Sequence, residues 1–376
     1  MILAAVLAVF VYGMIAAMLG TILPDLSQRF NLSPRENGNI ALAQALGLIV
    51  ASMAVGPLMD IQGTKTGLLL GLGLAAVALF LLPTAKGYHS IMGYLLLLGL
   101  GGGCIVAGAF VLAGAVNQEK RTAVLNLVNL FFGLGGMATP FISANIFKRN
   151  STWLCYFAGA VSAATMAIHA VTPMPGPTGS IAFQASAIRE LLSSPVFWLL
   201  AAILFLYVSA EVGVWNWLAR HLIAQGIPEA RSLNILSLGF ALGLLLGRVA
   251  VAPILIAVKP ELVTVSAGIL MAVTTYLALQ TRDAKIAGIA VFCAGLAMAP
   301  VFPTISGIAA NIFTNMQATA TGLVQTFGWI GLAVSSGIIG SIAGGDARRL
   351  KKALLILPIF SVLIVVANLV LIVLLR

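Results

Sequence analysis

Charge is what this chain has least of. Only 8% of its 376 residues are charged, and ten in all are acidic. A soluble domain carries about 25% charged residues to hold its surface in water, so an ordinary water-soluble fold is excluded. Cysteine is equally sparse: Cys104, Cys155 and Cys293 stand far apart in apolar stretches. Their separation offers no metal-ligand spacing and predicts no disulfide. With no His/Cys/Asp cluster and no nucleophile–base pair in view, the sequence predicts no metal, no cofactor and no enzyme. A glycine-lysine phosphate loop of the Walker type is missing too, which excludes ATP as a driving force. The net charge of +10 comes from basic residues scattered over short loops. A nucleic-acid binder gathers such charge on one face, so nucleic acid is not an expected partner.

What is abundant is apolar surface. The chain is 61% hydrophobic with a mean hydropathy of +1.10, a composition for which the bilayer is the solvent. Runs of about 20 apolar residues recur about every 30, and roughly twelve membrane helices fit. They are expected near 1–24, 38–58, 67–84, 90–116, 123–147, 152–172, 195–224, 232–257, 262–280, 286–312, 318–342 and 352–375. The first run lacks a cleavage site and reads as a helix, not a signal peptide. Thirty-nine glycines suit close helix–helix contact. The breaker Pro173-Met-Pro-Gly-Pro-Thr-Gly-Ser180 and a short interfacial helix over 181–194 separate the sixth helix from the seventh. The expected domains are therefore an N-terminal six-helix bundle (1–172), a central cytoplasmic linker (173–194) and a C-terminal six-helix bundle (195–376). That six-plus-six plan is the layout of a two-lobed secondary transporter.

An internal repeat supports the division. Leu127-Val-Asn129-x-Phe131-x-x-x-Gly135 returns as Leu323-Val-Gln325-x-Phe327-x-x-x-Gly331, 196 residues later, and Tyr12 returns as Tyr207 after 195. The pairs join the fifth helix to the eleventh and the first to the seventh, as parallel repeats about an axis along the membrane normal require.

Glu211 is the sole acid deep inside an apolar run, Phe205-Leu-Tyr-Val-Ser-Ala-Glu-Val-Gly-Val-Trp-Asn-Trp217. An unpartnered carboxylate there costs roughly 3 kcal/mol on insertion scales, so Glu211 is expected to face a water-filled cavity. Tyr207, Glu211 and Trp215 share one helix face by their i, i+4, i+8 spacing. A carboxylate between two amphipathic rings suits a sugar or a cation and makes Glu211 the proton-coupling candidate. On the fifth helix Asn126, Asn129 and Gly133 form a polar stripe whose plain alternative is interhelical hydrogen bonding. Tyr12, Gln44, Asn126, Asn129, Tyr207, Glu211, Trp215 and Gln325 are the candidate substrate-binding residues. Asn311 and His169 read as structural, and Trp217 cannot share the face of Trp215.

Three segments resemble a known family. Gly56-Pro-Leu-Met-Asp60-Ile-Gln-Gly63-Thr-Lys65 resembles the Gly-x-x-x-Asp-Arg-x-Gly-x-Arg/Lys signature of the major facilitator superfamily, with Ile61 where the signature has arginine. Phe205 to His221, Gly243-Leu-Leu-Leu-Gly247-Arg248 and Pro300-Val-Phe-Pro303-Thr304 resemble the fucose–proton symporter family within it. Leu125-Asn126-Leu-Val-Asn129-Leu-Phe-Phe-Gly133-Leu-Gly135 fits the same family. The resemblance implies an all-α major facilitator fold, with twelve transmembrane helices in two six-helix bundles related by pseudo-twofold symmetry. It further implies a monomer in the inner membrane with both termini cytoplasmic. It assigns Asp60, Lys65 and Arg248, at cytoplasmic helix ends, to gating. It departs where that family carries membrane acids in its first and fourth helices: the matching stretches Ala17-Met-Leu-Gly20-Thr21 and Gly103-Cys-Ile-Val106 have none.

The expected function is secondary transport of a sugar or similar small polar solute by alternating access, with protons as the coupling ion if Glu211 carries them. The runner-up is a facilitator or exporter of amphipathic or organic-anion compounds, and a non-transporting receptor comes third. One observation opposes the expected orientation. With the N-terminus inside, Lys65, Lys120, Arg121, Arg189, Lys259 and Arg376 face the cytoplasm against thirteen basic residues outside, the reverse of the usual bias.

Overall fold

The computed structural model describes residues 1–174, 176–177, 185–343 and 347–375. Among them are twelve helices long and apolar enough to cross a membrane. They are α1 (Ile2–Arg29), α2 (Arg35–Gln62), α3 (Thr64–Thr84), α4 (Tyr88–Val116), α5 (Arg121–Asn145), α6 (Ser151–Val171), α7 (Pro195–Ala224), α8 (Glu229–Ala257), α9 (Pro260–Gln280), α10 (Ala284–Ile312), α11 (Thr314–Ala343) and α12 (Arg349–Leu374). A nine-residue helix, Ala185–Ser193, precedes α7; the part of the expected interfacial helix before it, and half of the proline-glycine breaker, lie outside the described residues. The helices outrun the sequence expectations mainly at their N-termini, and two of those starts carry side-chain caps. Ser33 closes a reciprocal capping box with Glu36 at the head of α2, and the Asp283 carboxylate accepts the Lys285 and Ile286 amides at the head of α10. Those two amides hold the exposed Asp283 carboxyl below the ordinary carboxylate range.

Backbone contacts divide the chain into two units. One is Met1–Arg189 with Ala310–Thr326; the other is Glu190–Ala309 with Phe327–Arg376. The stretch 310–326 therefore keeps company with the first six helices, although the sequence reading had placed all of 195–376 in one bundle.

Inside each unit the helices meet through glycine. In the first, α2 and α4 cross so closely that a Cβ on Gly47 would collide with the Leu96 carbonyl, and one on Gly99 with the Gln44 carbonyl. In the second, α8 and α10 do the same: Gly243 meets the Phe292 carbonyl and Gly295 the Phe240 carbonyl. Each of these four positions in the second unit lies 196 residues after its counterpart in the first. The neighbouring contact keeps the pairing but swaps the residues, with Gly103 against Ala51 in the first unit and Ala299 against Gly247 in the second. The α1–α5 crossing repeats in the same way. Gly135 abuts the Phe10 carbonyl, and Gly331 the Phe205 carbonyl. The repeat seen in a few letters is thus a repeated set of backbone approaches. Lipid tails give apolar side chains no reason to leave them, so contact between backbones is what holds such helices together.

Two helices depart from regular geometry in their interiors. α8 contains a π-helical turn over Ile235–Phe240, and α10 breaks between Met298 and Val301, ahead of Pro303. Neither was anticipated from the apolar pattern, which does not register the hydrogen-bond shift of a π turn.

These crossings make a direct test possible. Gly99→Ala and Gly295→Ala are each expected to cost ~2 kcal/mol through overpacking, read as a lower thermal unfolding midpoint in detergent. Gly93→Ala, also on α4 but with no atom within 4 Å of the added Cβ, should leave the midpoint unchanged or raise it. Equal midpoints for all three would show that the crossings do not depend on the missing side chains.

Candidate functional site

The polar residues of the membrane interior fall into one set per unit. In the first unit, Tyr12 of α1 is buried, with its ring centroid 5.3 Å from that of Phe132 on α5. Gly102 of α4 leaves room beside Tyr12, Ile15 and Leu48. Gln44 of α2 is half-buried, and its Nε2 donates at 3.5 Å to the Ile15 carbonyl. Asn126 is fully buried and its Nδ2 donates at 2.8 Å to the Thr122 carbonyl one turn back, so that amide is committed partly to its own helix. Asn129 is 5% exposed and Gln325 is fully buried; neither faces lipid.

In the second unit, α7 brings Tyr207, Glu211 and Trp215 into one line, as their spacing predicts. Tyr207 is buried, Glu211 half-buried and Trp215 38% exposed. Both Tyr207 and Trp215 donate hydrogen bonds to the Glu211 carboxylate. The Trp215 ring stands edge-on to Phe240, 5.1 Å between centroids, at the end of the π turn of α8. Phe302 of α10 and Trp329 of α11 form a second aromatic pair at 5.4 Å.

Arg248 is where the sequence reading needs correction. It does not lie at a helix end. It sits nine residues before Ala257, the last residue of α8, and is 4% exposed. There its guanidinium acts electrostatically on both Glu211 and Tyr207. Glu211 therefore has a counter-charge that no spacing along α7 could reveal, because the partner comes from another helix. Phe240, Phe302 and Trp329 were missed for the same reason.

The other two residues assigned to gating lie near the junction of α2 and α3. Asp60 caps the start of α11 within the first unit: its Oδ1 accepts the Ala318 amide at 3.2 Å, and its Oδ2 accepts the Thr319 amide at 2.9 Å and the Thr319 hydroxyl at 2.6 Å. Helix N-termini expose such amides to anions. Close approach is again set by glycine, since a Cβ on Gly56 would lie 2.6 Å from the Thr319 Cα and one on Gly322 would lie 2.5 Å from the Ser52 carbonyl oxygen. Gly63 ends α2 at φ 91°, ψ 154°, a region essentially closed to other residues, which explains its place in the signature. Lys65 is half-buried in the first turn of α3, and Ile61, in the signature's arginine position, is 46% exposed. Arg121, counted as a loop charge in the sequence, is buried at 4% exposure, and its Nη2 donates to Gln317 Oε1 at 3.3 Å. His169 and His221 each bond a backbone carbonyl, of Thr165 and Leu279 respectively, which leaves them structural. Trp217 packs on Gly340 with Arg220 over its ring.

A family profile described as Major Facilitator Superfamily matches residues 5–336. The Saccharomyces cerevisiae "Bypass of stop codon protein 6" is 22% identical over 91% of this chain and 76% of its own. The Pseudomonas aeruginosa "4-hydroxybenzoate transporter PcaK" is 31% identical over 37% of this chain and 32% of its own. Among solved structures, the transporter FucP in the outward conformation superposes with a TM-score of 0.86 at 16% identity, covering 98% of both chains. The human organic anion transporter MFSD10 does so at 0.79 and 16% identity, also over 98% of both.

The cap on α11 can be tested alone. Asp60→Ala removes an ionised acceptor with three bonds, worth ~2 kcal/mol, and so should speed hydrogen exchange at the Ala318 and Thr319 amides by at least about tenfold. Unchanged exchange there would mean that the carboxylate does not hold this helix end.

Proposed function

The chain belongs to the Major Facilitator Superfamily, and from that premise we propose that it is a secondary transporter of a sugar or similar small polar solute, working by alternating access. The observation that carries the reading is the pairing of polar side chains with a duplicated helix frame. Asn129 and Gln325 stand 196 residues apart, on helices whose glycine contacts repeat at the same interval. Tyr12 and Tyr207 recur on the helices those glycines touch. A solute bound by amides and aromatic faces at repeat-related positions can be handed between two states of one frame. FucP is described as a fucose:proton symporter, and XylE, with a TM-score of 0.78, as a proton:xylose symporter. In this reading Tyr12, Gln44, Asn126, Asn129, Tyr207, Glu211, Trp215 and Gln325 contact the solute. Glu211 carries the coupling proton, and Asp60 with Lys65 serves gating.

We further propose two six-helix lobes joined through 173–194, and a monomer in the inner membrane with both termini cytoplasmic. The basic-residue bias runs against that orientation, and burial of Arg121 removes one more charge from the cytoplasmic side; the superfamily signature after α2 is what supports it. The second reading, transport of an organic anion, is favoured by one observation: a guanidinium, Arg248, buried beside Glu211 in the membrane interior.

Uptake into proteoliposomes from a panel of labelled sugars and organic acids, with and without a pH gradient, tests the reading. Trp215→Ala and Asn129→Ala should each weaken uptake of the accepted solute about tenfold, the effect of losing one or two well-placed contacts. Glu211→Gln should abolish pH-driven accumulation while sparing equilibrative exchange. Undiminished uphill uptake by Glu211→Gln would remove this residue as proton carrier, and a panel with no substrate would count against transport itself.

A further inference from the structure

The second unit holds a cavity between α7, α11 and α12. Phe205 of α7, Val334 and Ile338 of α11 and Phe360 of α12 form apolar wall, and Ser209 and Ser335 are its polar lining. Two close approaches bound it along α7. On one side Gly331 lies against the Phe205 carbonyl and the Ser209 hydroxyl; on the other, Gly213 is met by Leu357 of α12 and Ile339 of α11. Phe205, Ser209 and Gly213 follow at four-residue spacing and share one face of α7. Tyr207 and Glu211 lie two residues off that register, about 200° around the helix. The cavity therefore stands on the far side of α7 from the candidate solute residues.

Ser209 is 1% exposed and Ser335 4%, and among the described residues neither hydroxyl has a hydrogen-bond partner. A serine inside a helix can bond the carbonyl one turn back. Ser162, Ser266 and Ser361 do so, at 2.8, 3.0 and 2.9 Å. So does Thr139, 196 residues before Ser335, at 3.0 Å to the Gly135 carbonyl. Ser209 and Ser335 leave that bond unmade and line the cavity instead. A buried hydroxyl left unpaired is costly, so two at one cavity mark a place for a guest atom that bonds them.

The enclosed space is about 10 Å³, enough for one group of water size. Its rim is apolar and open: Val334 is 38% and Ile338 42% exposed, both within a membrane-crossing helix. A guest therefore arrives from the lipid phase and brings an apolar body with it. We propose that this cavity binds the hydroxyl group of an uncharged, membrane-partitioning alcohol. The guest oxygen sits between Ser209 and Ser335, and the apolar body lies over Val334 and Ile338. A hydroxyl group can accept from one serine and donate to the other. A charged head group does not fit, because the lining offers no counter-charge at this depth. A water molecule would take the same two bonds but leave the apolar rim uncovered. The site is separate from the solute path and does not depend on which solute the protein carries.

The test is photolabelling of the full chain in proteoliposomes with 3-azi-1-octanol, a diazirine analogue of 1-octanol, beside the matched 3-azioctane that lacks the hydroxyl. Adducts are mapped by peptide mass spectrometry. The alcohol should label the segments 205–209, 334–339 or 356–360 saturably and about tenfold more than the hydrocarbon does, the effect of about one well-made hydrogen bond. Excess 1-octanol should compete, and octane should not. The double variant Ser209→Ala/Ser335→Ala should bring alcohol labelling down to the hydrocarbon level. Its thermal unfolding midpoint should not fall, because the hydroxyls it removes bond nothing within the protein. Ile338→Trp, which fills the rim and keeps both hydroxyls, should lose the label as well. Labelling that is absent from these segments, that does not saturate, or that is equal for the two probes would overturn the inference, the last two showing partition into lipid only. So would an alcohol preference kept by the double variant, or a lower midpoint for it, which would mean that the serines are bonded inside the protein.

Discussion

Contact between helix backbones without intervening side chains is the constraint on which the rest of this molecule depends. In a bilayer, apolar side chains gain nothing by leaving lipid for protein, so helices associate where they fit closest. Here that means Gly47 and Gly99 locking α2 to α4, Gly243 and Gly295 locking α8 to α10, and Gly135 and Gly331 seating α5 and α11 on α1 and α7. These crossings fix each helix in rotation as well as position. Once rotation is fixed, so is the direction in which every polar side chain points. Asn129 is buried for this reason, and Arg248 lies buried within the electrostatic influence of Glu211 for the same one.

The same constraint explains how the two halves diverged without losing their frame. The pairing of Gly103 with Ala51 becomes Ala299 with Gly247, and the glycine at position 13, against Phe132, is answered by Gly328, against Val208. A contact needs one small residue, and it matters little which helix supplies it. Polar groups have no such freedom, and they differ most between the halves. Glu211 has Ala16 as its counterpart and Arg248 has Ser52, so the charged pair belongs to one half alone. Chemistry was placed on one copy of a frame that both copies share.

Asp60 adds a second kind of linkage. Its carboxylate accepts from the first amides of α11, where helix geometry leaves donors without intrahelical partners. Together with the close approaches at Gly56 and Gly322, that binds a stretch of the second half of the sequence to the first six helices, with which 310–326 clusters. The same helix start is packed as well as bonded: Ala318 joins a buried cluster with Ala51, Val55, Met59, Cys104 and Ala107.

The sequence by itself determined the class of the molecule, the number and approximate limits of its helices, and the line of Tyr207, Glu211 and Trp215 on one face. These follow from hydropathy and from a 3.6-residue period, which are properties of a chain read one helix at a time. It also held the repeat, because glycine, asparagine and glutamine recur at a fixed interval. Tertiary structure alone decided that Arg248 is an interior partner of Glu211 and not a residue of a helix end, that Arg121 is buried, that Phe240 meets Trp215 through a π turn, and that the start of α11 joins the first unit. Each of these depends on how one helix is rotated against another, and that rotation is set by which small residues touch across helices far apart in the chain. Nothing in the order of residues along a single helix encodes that choice.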